Sequence, residues 1–182
     1  MLEIPRKIMK YFFSGFLLVV PLLATAQFGE KRDSLDYYKY LAQAEYDMVA
    51  DYESSVYYAT KAIHLDPRDF ELYELRAVAR DFQGDYAGME NDLSIVLQLD
   101  PSNFAAYDGR AYARVKLKKY REAIQDFDFL IQTEPAFAGY YVERGFIRLQ
   151  LKELDAACED FRQANILGSI PGYQALMDHC YR

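Results

Sequence analysis

The 182-residue chain has no tryptophan, two histidines and two cysteines. His64 and His179 lie far apart, and neither has Cys, Asp or Glu at a metal-ligand spacing. No metal and no cofactor is therefore expected. The chain also lacks a G-x-S-x-G elbow, a phosphate-binding P-loop and the glycine pattern of a dinucleotide fold. Carboxylate pairs abound, but nothing marks one of them as buried and catalytic. The expectation is a protein that is not an enzyme. Basic residues number 21 against 28 acidic ones, giving a net charge of −7. That balance excludes a nucleic-acid partner, which needs a concentrated basic face. No stretch shows sustained strand alternation. Only one long apolar run occurs, from Tyr11 to Leu23, and a membrane-spanning helix needs roughly 20 residues.

That run belongs to a segment with the layout of a secretory signal peptide. Arg6, Lys7 and Lys10 form a positive start, the apolar run follows, and Ala24-Thr25-Ala26 is a small-residue cleavage site. No cysteine stands near the site to accept a lipid. The expected domain organisation starts with a signal peptide over 1–26, cleaved after Ala26, and a linker over 27–35. Cleavage removes Glu3, Arg6, Lys7 and Lys10, three basic residues and one acidic, so the net charge moves from −7 to −9. The expected location is outside the cytoplasm, in the periplasm or cell envelope, with no membrane insertion after cleavage; the alternative is an uncleaved N-terminal anchor.

Apolar residues make up 52% of the chain, enough for a packed core. The remainder repeats every 34 residues. Leu65-Asp66-Pro67 recurs as Leu99-Asp100-Pro101 and as Thr133-Glu134-Pro135. Arg76, Arg110 and Arg144 are in phase, as are Arg80, Arg114 and Arg148, and Tyr73, Tyr107 and Tyr141. Asp92, Asp126 and Asp160 keep the same stride. A fixed period of this size marks a repeat architecture. Each unit reads as two helices. Phe104, Tyr107, Ala111 and Arg114 lie three or four apart on one face; Ala123, Phe127, Leu130 and Ile131 form a second, and Pro135 ends it. Gly84 falls at a turn, where glycine tolerates a left-handed backbone. Ser34 and Ser102-Asn103 offer oxygens for helix N-termini.

The 34-residue unit, with Gly84-Asp85-Tyr86, Tyr120-x-x-Ala123 and the Asp-Pro ends, resembles the tetratricopeptide repeat. The resemblance implies an all-α fold: a right-handed superhelical solenoid of four helix-turn-helix repeats over 36–171 (36–69, 70–103, 104–137 and 138–171). A C-terminal capping helix over 172–182 is expected to turn Tyr173, Leu176 and Met177 inward, which argues for a monomer. The first repeat is the most degenerate, with Lys39, Ala42 and Gln43 at its key positions, as an end repeat should be. Ala77, Ala111 and Gly145 are the small residues that let paired helices approach.

In that family the first helix of each unit lines a concave groove. Transferred here, the face consists of Tyr37, Tyr40, Asp47 and Met48; Glu71, Glu74, Val78, Asp81 and Phe82; Asp108, Tyr112, Val115 and Lys116; and Val142, Phe146, Leu149 and Gln150. An aromatic, acidic groove implies a protein or peptide partner with basic and apolar groups. Family members that clamp a chaperone's C-terminal carboxylate use Asn and Lys here; this chain has Ala44, Val78, Tyr112 and Phe146. The pairs Arg76/Asp92, Arg110/Asp126 and Arg144/Asp160 share a separation of 16 residues. They form either a row of charges that grips a ligand or an ion-pair ladder that orders the helices. In an exported chain Cys158 and Cys180 usually pair, and a cap folded against the last repeat allows a disulfide; two buried free thiols are the alternative. The functional expectation is a non-catalytic scaffold holding a protein or peptide in the groove. The alternative is a structural subunit of an envelope, secretion or outer-membrane assembly.

Overall fold

The computed structural model describes residues 34–181. The expected signal peptide and most of the 27–35 linker lie outside the described residues. All regular structure among those described is helical. The chain runs through α1 (Leu35–Ala44), a π-helical turn (Glu45–Val49), α2 (Tyr52–Leu65) and α3 (Phe70–Gln83). It continues through α4 (Tyr86–Leu99), α5 (Phe104–Lys116), α6 (Tyr120–Thr133), α7 (Ala138–Gln150), α8 (Leu154–Ile166) and α9 (Ile170–Cys180). These helices fall into two compact units, one ending at Asp85 and one starting at Tyr86.

Helix starts follow the side-chain oxygens. Ser34 Oγ accepts from the Tyr37 amide at 3.3 Å and Asn103 Oδ1 from Ala106 at 2.9 Å. Ser102, expected as a second capping candidate, instead donates to Asp100 Oδ1 at 2.7 Å. Asp51 and Ser169 start α2 and α9 in the same way. The turn inside each hairpin has one recurring device. Ala50, Gly84, Lys118 and Lys152 all have positive φ (54°, 73°, 59° and 63°), and they stand 34 residues apart. After each of them the next amide reaches back to a helix carbonyl: Asp51 to Glu45, Asp85 to Arg80, Lys119 to Arg114 and Glu153 to Arg148. Only at Gly84 does the sequence supply the residue this backbone favours.

In the first unit Leu41 and Ala44 are buried beneath Tyr37, Tyr40, Val49 and Tyr58. Ser55, fully buried, donates to the Ala42 carbonyl at 2.9 Å and ties α2 to α1. In the second unit Ala111, Ala123, Phe127, Leu130 and Ile147 form one cluster and Ala157, Phe161, Ala175 and Leu176 another. Small residues set the helix spacing. A Cβ added at Gly145 would lie 2.5 Å from the Phe161 ring, and one at Gly172 would lie 2.5 Å from Ala164 Cβ.

The charge ladder is internal. Asp126 and Asp160 are each 2% exposed. Arg110 reaches Asp126 with Nε at 3.2 Å and Nη2 at 2.6 Å, and Arg144 reaches Asp160 at 3.1 and 2.6 Å. A second arginine closes each carboxylate: Arg114 on Asp126 at 2.6 Å, Arg148 on Asp160 at 2.8 Å. Each first arginine lies over the tyrosine three residues before it, at 5.4 Å for Arg110 and Tyr107 and 5.7 Å for Arg144 and Tyr141. Tyr141 Oη donates in turn to the Pro135 carbonyl, as Tyr73 does to Pro67. In the first unit Arg76 donates to Thr60 Oγ1 at 2.9 Å and lies over Tyr73. Of the two readings of the ladder, the structure carries the one that orders helices.

The structure joins Cys158 to Cys180, tying α9 to α8 across a separation of 22 residues. The cap departs from expectation. Leu176 is 4% exposed and packs inward, but Tyr173 and Met177 are 50% and 42% exposed. The middle of the 173/177 edge lies about 80° around the helix from Leu176, toward solvent, which leaves both side chains largely exposed.

Lys118→Gly and Lys152→Gly are each expected to stabilise the chain by about 1 kcal/mol by relieving the left-handed lysine, and Gly84→Ala to cost about as much. Urea unfolding midpoints would check both signs. Asp160→Ala leaves two arginines without their buried anion and is expected to cost about 3–5 kcal/mol, against no more than about 1 kcal/mol for exposed Glu159→Ala.

Candidate functional site

The ladder fixes which way each first helix faces. A residue two beyond an arginine lies about 200° around the helix from it, on the opposite side. Val78, Tyr112 and Phe146 occupy that place after Arg76, Arg110 and Arg144, and are 40%, 42% and 40% exposed. Ala44, which shares their phase in the first repeat, is 6% exposed and packs in the core.

In the first unit the exposed surface is aromatic at one end. Phe82 stacks on Tyr52 with centroids 4.5 Å apart and planes 10° apart, and Tyr46 meets both rings from the side. Met48 is 55% exposed on the π-helical turn, where Gln43 Nε2 donates to Asp47 Oδ2 at 2.7 Å. Glu71 is exposed, and Glu74 and Asp81 are half-buried. Tyr37 and Tyr40 serve chiefly to cover Leu41 and Ala44.

In the second unit Tyr112 meets Tyr86 edge-on at 6.1 Å, and Lys116 Nζ lies over both rings at 5.0 and 5.9 Å. Phe146 leans on Phe161 at 5.1 Å and on the His179 ring at 6.3 Å. Three expected positions are corrected here. Val142 is 6% exposed and packed with Tyr141 and Ala164, because it lies about 100° around α7 from Tyr141, still within the arc that the core covers. It cannot touch a ligand. Leu149 covers the Phe161 cluster, and Val115 packs against the Phe127 cluster, so both are half-buried supports. Gln150 is exposed at the end of α7.

Asp108 and Glu143 are exposed carboxylates on this face. Both keep solvent contact, yet the surrounding helices strip hydration from them, and each carboxyl is held above the usual carboxylate range. Repulsion from Asp108 adds to the rise at Glu143. Asp108 also adds to the raised pKa of the Tyr140 hydroxyl, which burial starts. Glu143 was not legible as a face residue, because its partner in phase is Gly109. A shallow depression of about 390 Å³ lies elsewhere, lined by Tyr38, Tyr57, Thr60, Lys61, His64 and Leu65, none of them among the expected positions. Among the described residues no group of three or more His, Cys, Asp or Glu is placed to hold a metal ion. No described helix is long and apolar enough to cross a membrane.

Solved structures share this arrangement of helices. MamA from Desulfovibrio magneticus RS-1 superposes with a TM-score of 0.69 over 78% of this chain and 81% of its own, at 22% identity. A tetratricopeptide repeat protein from Parabacteroides merdae gives 0.67 over 74% of this chain and 56% of its own, at 20% identity. The first such domain of Spaghetti (RPAP3), bound to the HSP90 peptide SRMEEVD, gives 0.58 over 65% and 93%, at 25% identity. The chain has the tetratricopeptide-repeat fold. No protein-family model and no curated protein matches the sequence. The tetratricopeptide hairpins thus rest here on a 34-residue stride, a left-handed turn residue and a buried Arg–Asp pair rather than on close sequence identity.

One buried acid was missed by sequence reasoning. Glu45, in the π-helical turn, is 9% exposed, and burial with repulsion from Asp51 raises its pKa from 4.5 to about 7. Glu45 in turn adds to the rise of Tyr58 to about 12, which burial begins. Because the folded value exceeds the unfolded one, the stability from protonated Glu45 is complete below about pH 4.5 and lost as pH rises through 7. Glu45→Gln is expected to raise Tm by several degrees at pH 8 and leave it unchanged at about pH 4.5, which thermal melts by circular dichroism at the two pH values would read.

Proposed function

We propose that this chain is a non-catalytic scaffold that binds a protein or peptide on the outward sides of the first helices of its repeats. The observation that carries the reading is the in-phase series Val78, Tyr112 and Phe146: three apolar side chains, each about two-fifths exposed, held outward by the ladder behind them. The phase is exposed in three of the four repeats, Ala44 of the first being buried. Exposed aromatic side chains are the usual anchors of protein interfaces.

The second unit gives the partner its chemistry. Asp108 and Glu143 are exposed carboxylates whose proton affinity is raised by partial desolvation and, at Glu143, by repulsion from Asp108, so a nearby cation favours the ionised form of both. A lysine or arginine beside an apolar group fits that surface. The Spaghetti domain binds a peptide carrying two glutamates and a terminal aspartate; this face, acidic and without the Asn and Lys of a carboxylate clamp, favours the opposite charge. The net charge of −7 on the whole chain points the same way. We further propose export to the periplasm or cell envelope, with cleavage after Ala26. The second reading, a structural subunit of an envelope or secretion assembly, draws on the apolar surface outside this face, at Ile170 and Tyr181.

Panning a random peptide library on the chain tests the first reading. Enrichment of peptides with Lys or Arg next to an aromatic or aliphatic residue is expected. Tyr112→Ala is expected to weaken a selected peptide by about 2 kcal/mol, and Glu143→Gln with Asp108→Asn to remove the preference for basic residues. Selection that is blind to charge, or binding untouched by these variants, would move recognition away from this face.

A further inference from the structure

Helix α9 is apolar on two opposite sides. One side, with Gly172, Ala175 and Leu176, is buried against α8. On the other, Ile170, Tyr173, Met177 and Tyr181 are 81%, 50%, 42% and 64% exposed. Their spacings of three, four and four residues place them in one stripe along the helix. Among the described residues nothing covers this stripe. The stripe is also held rigid, because the Cys158–Cys180 disulfide fastens the helix to α8 at its far end.

We propose that this stripe is the contact of a two-fold dimer, in which α9 packs antiparallel against α9 of a second copy of the chain. Three features select a second copy over another occupant. The first is area: the four side chains expose on the order of 500 Å² per copy, close to the roughly 600 Å² per partner at which specific interfaces begin. The second is charge. The chain carries −7, so two copies repel over most of their surfaces. Helix α9 contains a single carboxylate, Asp178, which accepts from Gln174 Nε2 at 3.0 Å. His179 turns back onto Phe146 and Phe161. The stripe is thus where two acidic copies meet at least electrostatic cost. The third is symmetry. The spacing is nearly palindromic, so an antiparallel pair sets Ile170 opposite Tyr181 of the second copy and Tyr173 opposite Met177 of the second copy, as an isologous contact requires.

Sedimentation velocity with the disulfide intact tests this on the full chain and on the chain starting at Gln27. Both are expected to dimerise at roughly 10–100 µM. Tyr173→Lys and Met177→Glu sit on the exposed face and leave the helix intact, which an unchanged Tm confirms. Each alone is expected to weaken dimerisation at least about tenfold, and mixing the two variants to restore it through the Lys–Glu pair. A parent chain that stays monomeric to several hundred micromolar overturns the proposal. So does dimerisation of the full chain alone, which would assign the stripe to the N-terminal segment. Variants that dimerise like the parent, or a mixture of monomeric variants that stays monomeric, overturn the antiparallel contact.

Discussion

In the second unit each hairpin closes on a buried carboxylate held by two arginines. Asp126 and Asp160 sit on the second helix of their hairpins and are gripped from the first helix by Arg110 with Arg114 and by Arg144 with Arg148. Guanidinium groups are planar and present their donors in a fixed fork, so two of them on one carboxylate leave the first helix little freedom to rotate. The rest follows by helical geometry. The residue after the first arginine, Ala111 or Gly145, meets the second helix, and at Gly145 there is no room even for a methyl group beside Phe161. The residue after that, Tyr112 or Phe146, is carried to the outside. Such a pair contributes uncertain net stability; what it supplies is a fixed orientation. Arg114 extends the constraint to the preceding helix through Glu90, whose carboxyl is held low by Lys119 and Arg114 despite its burial.

Much of this was legible because the repeat writes the same geometry several times. The helices, the proline-terminated ends and the in-phase Arg, Tyr and Asp positions are periodic signals that survive substitutions elsewhere. What could not be read was local and unrepeated. Lysine carries no turn signal, so the left-handed backbones at Lys118 and Lys152 were hidden, although the stride from Gly84 leads to both. The π-helical turn at Glu45–Val49 inserts into a repeat whose own pattern had decayed. Val142 failed as a face residue for another reason. A face transferred from a family assigns positions by phase, and adjacent residues stand about 100° apart around the helix, enough to move one from solvent to core.

The acidity of the chain is distributed unevenly, and the distribution separates structure from recognition. The carboxylates of the ladder are neutralised in place by arginine. Asp108 and Glu143 have no such arginine among the described residues, and the helices around them raise their proton affinity. A folded chain could remove that repulsion with a single lysine on α5 or α7, as Lys39 on α1 does for Asp69 at 2.6 Å. On the proposed function, a basic ligand would relieve that repulsion.

The terminal helix poses the same question in apolar form. An 11-residue helix packed on one side has a single face to bury, and polar residues on the other leave the fold unharmed. Here the apolar residues occupy both faces, the pattern of a helix enclosed between layers rather than one closing a stack. The sequence expectation that Tyr173 and Met177 join Leu176 inside rested on the capping role, which requires all large apolar groups to find the core. Geometry forbids it: α8 offers one surface, and Ala175, Leu176 and the close approach at Gly172 already use it. The outward stripe is therefore surplus to the packing of the described residues. Exposed groups of that size are tolerated where association hides them, and the disulfide that holds the stripe in place removes ordering that association would otherwise have to supply.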